Sequence, residues 1–231
     1  CFFSIRLCTL NAPTPAIVSQ DAVRRLPRLA LVLFVLAYVM PGFWGREPWK
    51  TIDMGSLGVM LDLAHGLAQW HAPTYLGLPP EVPAVLPYWL GAWMVAWAPA
   101  GWDPAWLTRI PFVLMLMLTL ASAWKAIELL ARSPTAQPVA FAFGGEARPK
   151  DYARTIADAA LLAMIATLGL SLLSHQIGVV LMQLACVSLA FYGVAALPYH
   201  PRYSLSALVI GLLGLALSGA PSFAVLMALG S

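Results

Sequence analysis

With 61% hydrophobic residues and only 10% charged ones in 231 positions, the chain has less than half of the roughly 25% charge that solvates an ordinary soluble domain. That balance excludes a disordered chain, a charged-tail protein and most cytosolic enzymes, and it reads as a membrane protein. A net charge of +3, dispersed along the chain, offers nucleic acid no basic stripe, and Cys1, Cys8 and Cys186 form neither a CxxC pair nor a disulfide framework.

The chain opens at Cys1 without an initiator Met and stops at Ser231 inside an apolar run, so it reads as a fragment truncated at its C-terminus. Residues 1–28 are basic and only partly apolar, with no compact apolar run before a small-residue cleavage site; they predict a cytoplasmic N-terminal segment followed by a retained span. Crossing a bilayer takes about 20 apolar residues, or fewer where polar or aromatic flanks help. Runs of that kind predict spans at 29–44, 110–131, 156–174, 177–197 and 204–218, with a sixth beginning near Pro221. The fold class is therefore all-α, a polytopic transmembrane helix bundle, with residues 29–231 belonging to one transmembrane domain.

A further apolar run, 84–98, is short, contains Pro87, and places Trp89, Trp93 and Trp97 on one helical face, as expected at headgroup level. Charge decides its topology. If it lies in the interface, Arg6, Arg24, Arg25, Arg28, Arg132, Arg148, Lys150, Arg154 and Arg202 share one side, which the positive-inside rule makes cytoplasmic. If it spans, the 132–154 cluster and Arg202 move opposite the basic N-terminus. The first arrangement predicts an external loop at 45–109 and a cytoplasmic loop at 132–155. In the external loop Met54, Leu57, Leu61 and Ala64 recur at helical spacing toward lipid or the bundle, with Asp62 and His65 toward water, predicting an amphipathic juxtamembrane helix over 54–69. A Pro-rich connector, 73–87, leads to the 84–98 helix. The 132–155 loop, with Pro134, Pro138, Gly144, Gly145 and Pro149, reads as an irregular link.

The best polar cluster, Gly45-Arg46-Glu47-Pro48-Trp49-Lys50-Thr51-Ile52-Asp53, follows the first span. A carboxylate at the mouth of a membrane cavity can act as general base or hold a metal, and nearby Arg and Lys can neutralise a phosphate. Residue types alone favour a plainer account, with Asp53 as the N-cap of the next helix and Arg46 and Lys50 as interfacial anchors.

The order of features suggests a family. One N-terminal span is followed by an external Asp opening a surface helix, then Gln69-Trp70, Pro73, Leu76-Gly77-Leu78 and Pro87-Tyr88-Trp89-Leu90. Asp103, Leu107, Arg109 and Pro111 head the second span, and Gly211-Leu-Leu-Gly214 and Leu217-Ser218-Gly219-Ala220-Pro221 come later. From about Leu29 onward the chain resembles the membrane glycosyltransferases of the aminoarabinose-transferase and protein O-mannosyltransferase type, the C-type superfamily. The resemblance places Asp53 at the family's first-loop catalytic aspartate, a role compatible with capping. It implies a bacterial inner-membrane enzyme with its active site on the periplasmic side. Three departures accompany it: Met54 stands where Glu commonly follows the Asp, Val82-Pro83 replaces a Glu-Lys pair with Glu81 one place earlier, and Gly219 stands where Lys is expected. Either other cations substitute, or the donor differs, or activity is impaired.

The remaining polar residues are weaker candidates. His175, between Ser174 and Gln176, either faces the same cavity as Asp53 or is a polar turn residue. Asp158 reads as a helix-start charge, and Lys125 with Glu128 as a snorkelling cation and its i,i+3 partner. Gly211, Gly214 and Gly219 permit close helix packing. No Gly-rich phosphate loop or dinucleotide fingerprint supports a nucleotide-sugar donor.

The expectation is an integral membrane glycosyltransferase that moves a sugar from a polyprenyl-phosphate donor to an unassigned acceptor. Asp53 is its catalytic residue, and Arg46, Lys50, Glu81, Arg109 and His175 are its substrate-binding residues. Membrane lipid is a partner and nucleic acid is not; the cofactor is unassigned, with a divalent metal left open. The alternative is a non-catalytic lipid-binding or assembly protein on the same scaffold. A transporter comes third, because mid-span charges are scarce.

Overall fold

The computed structural model describes residues 16–45, 47–48, 50–99 and 101–230. Every regular element among them is helical: α1 (Arg28–Phe43), α2 (Thr51–Ala64), α3 (Leu86–Ala96), α4 (Pro104–Leu107), α5 (Ile110–Ala131), α6 (Pro149–Ala166), α7 (Leu168–Ser174), α8 (Val179–Ala196), α9 (Pro201–Leu217) and α10 (Pro221–Gly230). Proline marks many of the starts. It occupies the first or second position of α3, α4, α5, α6 and α9, where its missing N–H costs nothing and its fixed φ suits the helix. Among the described residues two helical stretches, Pro104–Ala131 and Val179–Ala196, are long and apolar enough to cross a membrane; Arg28–Phe43, Pro201–Leu217 and Pro221–Gly230 are apolar but shorter.

Contacts between remote segments set the direction of each helix. Beside the start of α1, the Leu26 amide donates to Asp158 of α6 at 3.2 Å. At the far end of α1, Arg109, just before α5, donates to the Phe43 carbonyl at 3.1 Å, and His175, just after α7, reaches the Tyr38 carbonyl at 2.9 Å. Tyr199, beyond α8, donates to the Leu129 carbonyl near the end of α5 at 3.1 Å. Gln183, near the start of α8, donates to the Ser218 carbonyl just past α9 at 2.8 Å. Helices α1, α6–α7 and α9 therefore run one way, α5 and α8 run the other, and α10 folds back on α9.

This order puts α2, α3 and α4 together at one end, the cap end, between the close of α1 and the opening of α5. At 11 residues, α3 is about 16 Å long, roughly half the hydrocarbon thickness of a bilayer. The other end, the basic end, holds segment 16–27 against residues 137–148 through backbone bonds from Val139 to Ala16, from Gln20 to Gly145 and from Ala147 to Val18. The loop read as an irregular link is thus tied to the N-terminal segment, and it ends earlier than expected because α6 begins at Pro149.

Helix α5 is the central element. Phe112, Leu116 and Leu120 are sealed by Val39 and Phe43 of α1, Met60 of α2, Tyr88 and Ala92 of α3, Leu161 of α6 and Leu181 of α8. Helices α8 and α9 meet through small residues, as the glycine pattern anticipates. A Cβ on Gly193 would lie 2.8 Å from the Leu208 nitrogen, and one on Gly211 would lie 2.8 Å from the Ala190 nitrogen.

Two expectations are corrected. The 156–174 run is not one helix: it breaks at Thr167, whose ψ of 112° is extended and whose hydroxyl bonds the Ala163 carbonyl at 3.0 Å, closing α6 before α7 begins. Asp158 is therefore no helix-start charge. It lies deep in α6, 2% exposed, and accepts from Leu26, Trp124 and Arg154; Asp151 occupies the first turn instead. Helix α2, the second correction, spans Thr51–Ala64 and stops short of the expected 69: Ser56, Val59, Met60 and Leu63 are buried, while Met54 is 57% exposed and Leu57 and Leu61 are half-buried. Ile52, Met54, Leu57, Val59, Leu61 and Leu63 make α2 apolar nearly all round, so its periodicity favours no single face and tertiary partners decide.

Candidate functional site

The cap end assembles around the short turn between α7 and α8. Residues 174–178 fold back at Gly178, whose φ of +153° lies where L side chains are strained. A Cβ there would sit 3.1 Å from Ser56 Oγ, so a bare backbone lets the turn rest on the first turns of α2. Asp53 fixes that contact: it is 4% exposed, and its Oδ1 accepts from the Ile177 amide at 2.9 Å. The expected N-cap role is corrected accordingly. Lys50 occupies the cap position without a side-chain cap bond, and Asp53 lies in the first helical turn, where its charge still suits the macrodipole.

His175 is held in the same turn. Its Nε2 faces the Tyr38 carbonyl and its Nδ1 the Ser171 carbonyl, each at 2.9 Å, with Ser174 Oγ 3.3 Å from Nδ1. The ring lies edge-on to Tyr38 and tilted against Phe43, in space left open because position 42 is glycine. Arg109, 6% exposed, donates to the Phe43 carbonyl and so meets the last turn of α1, where a cation also suits the helix dipole.

The structure thus gathers Asp53, Arg109 and His175 about the close of α1 and the 174–178 turn. Lys50, half-buried, is three residues before Asp53. Glu81 stands apart on the exposed connector before α3, and its charge acts on Tyr88. Burial first, and Glu81 second, push the Tyr88 phenol above its ordinary pKa. Arg46 lies outside the described residues. Among the described residues no group of three or more His, Cys, Asp or Glu is placed to hold a metal ion.

Sequence reasoning missed several residues at this end. Tyr38 and Ser174 share a hydrogen bond of 3.1 Å beside His175. On the adjoining face of α2, Pro48, Met54, Leu57, Gly58, Leu61, Asp62 and Tyr75 line a groove of about 360 Å³. The Tyr75 ring packs on Gly58, and Asp62, expected to face water, accepts from the Leu76 amide at 2.9 Å and so fixes that loop. Gly58 within an apolar helix was the available signal for a close approach. Trp89 donates to the Trp70 carbonyl at 2.6 Å, and Trp93 stacks on Trp70, so two of the three tryptophans of the stripe are built into the cap while Trp97, just past α3, is 86% exposed.

Two of the departures from the family pattern meet in space. A Cβ on Gly219 would lie 2.9 Å from Val82 Cγ1 and 3.2 Å from the Pro83 carbonyl, and Gly219 itself has a φ of +82°. Where the resemblance leads one to expect charged side chains, this chain has an apolar contact between the α3 connector and the α9–α10 turn. Compared with protein-family models, curated proteins and solved structures, the chain matches none.

Proposed function

We propose that the chain is a polytopic membrane protein whose cap end carries a glycosyltransferase site for a polyprenyl-phosphate-linked sugar, with Asp53 as the catalytic carboxylate. The basic end lies on the cytoplasmic side in this reading and the cap end faces the periplasm. Its exposed apolar side chains, Val32, Leu33 and Phe34 on α1, Val180 on α8, and Val209 and Ile210 on α9, fit a lipid-facing surface. A lipid-linked donor keeps its tail among such helices and presents its reactive carbon at the cap.

The observation that carries the enzymatic reading is the placement of Asp53. Helix α2 holds the carboxylate at the cap end, and a backbone amide from the 174–178 turn fixes its orientation. A carboxylate offers about four lone-pair sites, so the bond from Ile177 is compatible with accepting a proton from an acceptor hydroxyl. Lys50 and Arg109 are the described cations at this end that would face a donor phosphate.

The Gly219–Val82 contact favours the alternative, a non-catalytic lipid-binding or assembly protein, because it fills with apolar atoms a place where the family resemblance implies charge. Asp53→Asn separates the two readings. The amide oxygen still accepts from Ile177, so folding survives, while loss of a general base costs about two to four orders of magnitude in rate. Normal expression with sugar transfer reduced to that extent supports the enzyme. Unchanged transfer makes Asp53 a tie between α2 and the turn, and absence of transfer by the native chain across polyprenyl-phosphate sugars favours the non-catalytic scaffold.

A further inference from the structure

At the basic end, a groove runs between α1, α5 and α6. Leu31, Val32 and Val35 of α1, Leu120 and Trp124 of α5, and Leu161 of α6 are among the apolar residues enclosing about 320 Å³. From Met117 to Trp124 it follows α5 for about 10 Å.

The end of this groove nearest the start of α1 is cationic. Arg28 is exposed and precedes Leu31 and Val32 by one helical turn on the same face. The Arg154 guanidinium lies over the Trp124 ring at 4.7 Å, and the Lys125 ammonium is 5.8 Å from the same ring. Three acids here are matched, Asp158 by Arg154, Glu128 by Lys125 and Arg132, and Asp151 by Arg25, while Asp21 is exposed and Glu146 half-buried. Arg24, Arg28, Arg148, Lys150 and Arg202 are exposed and make no ion pair among the described residues, so this end of the bundle carries surplus positive charge even with Asp21 and Glu146 counted.

We infer that this groove binds an anionic phospholipid of the cytoplasmic leaflet, an acyl chain lying along α1 and α5 and the phosphate resting among Arg28, Lys125 and Arg154. The inference depends on the membrane reading above and is independent of catalysis at the opposite end. Charge complementarity selects the occupant. Apolar walls accept any acyl chain, but a zwitterionic lipid brings its own ammonium to a cationic rim, whereas phosphatidylglycerol brings net negative charge.

The test is titration of the detergent-extracted chain with phosphatidylglycerol and with phosphatidylcholine, counting bound lipid by native mass spectrometry. Phosphatidylglycerol is expected to bind more tightly, and Arg28→Gln to weaken it about fivefold without affecting phosphatidylcholine. Val32 is 52% exposed, so Val32→Trp fills the groove without disturbing the core and is expected to abolish phosphatidylglycerol binding. Inorganic phosphate at equal ionic strength is expected not to compete. Equal binding of the two lipids, indifference to both substitutions, or displacement by inorganic phosphate overturns the site while leaving the membrane reading intact. Recovery of the chain in the aqueous fraction without detergent overturns both.

Discussion

The two ends of the bundle use charge differently. At the basic end acids pair with cations: Asp151 with Arg25, Asp158 with Arg154, and Glu128 with both Lys125 and Arg132. At the cap end charged and polar side chains hold backbone groups: Asp53 the Ile177 amide, Asp62 the Leu76 amide, Arg109 the Phe43 carbonyl, and His175 the Tyr38 carbonyl. The first pattern cross-links side chains on long helices. The second positions short connections that have little regular structure of their own. A cap built in this way can hold a reactive group in a fixed orientation, which is what a site needs from its scaffold.

The largest expected effect tests the basic end. Replacing Asp158 by Ala leaves the half-buried Arg154 without its partner and strips acceptors from the Trp124 indole and the Leu26 amide. Loss of about 3–5 kcal/mol is expected in denaturant unfolding of the detergent-solubilised protein. Asp158→Asn keeps an acceptor oxygen and should cost less; equal losses would mean that the charge, and not the acceptor oxygen, carries the whole effect.

At the cap end the corresponding break is steric. Ala at position 42 would drive its methyl into the His175 ring, with an expected cost of about 1–3 kcal/mol. Adding His175→Ala should recover part of that loss, a coupling read from a double-mutant cycle. If Gly42→Ala proves harmless, the cap is looser than the contrast between the ends requires.

The smallest effect is confined to alkaline solution. Tyr88 holds its proton more tightly in the fold than its ordinary pKa of 10.0, through burial and then the Glu81 charge. Above about pH 10 the unfolded chain loses that proton first, so this group's contribution to stability is intact below that pH and declines as pH rises through the window. Thermal unfolding between pH 8 and 11 should show a shallower alkaline decline in Tyr88→Phe. An identical slope would remove Tyr88 as a sensor of the connector's packing.

The sequence by itself determined the all-helical character and the positions of α1, α3, α5, α8 and α9. Each follows from a local rule, the length of an apolar run. Charge counting grouped the N-terminal segment with the 132–155 loop on one side, and the structure bonds Ala16, Val18 and Gln20 to Val139, Ala147 and Gly145. Tertiary structure alone decided which face of α2 is buried, because a helix apolar nearly all round has no preferred inward side until α3 and the 174–178 turn pack against it. It likewise decided the break at Thr167 and the place of Asp158, whose partners come from the N-terminal segment and α5 as well as its own helix. Asp53 shows the division most clearly. Its carboxyl chemistry was legible at once, but the bond that orients it comes from an amide 124 residues away, a distance that helical periodicity and charge counting cannot bridge.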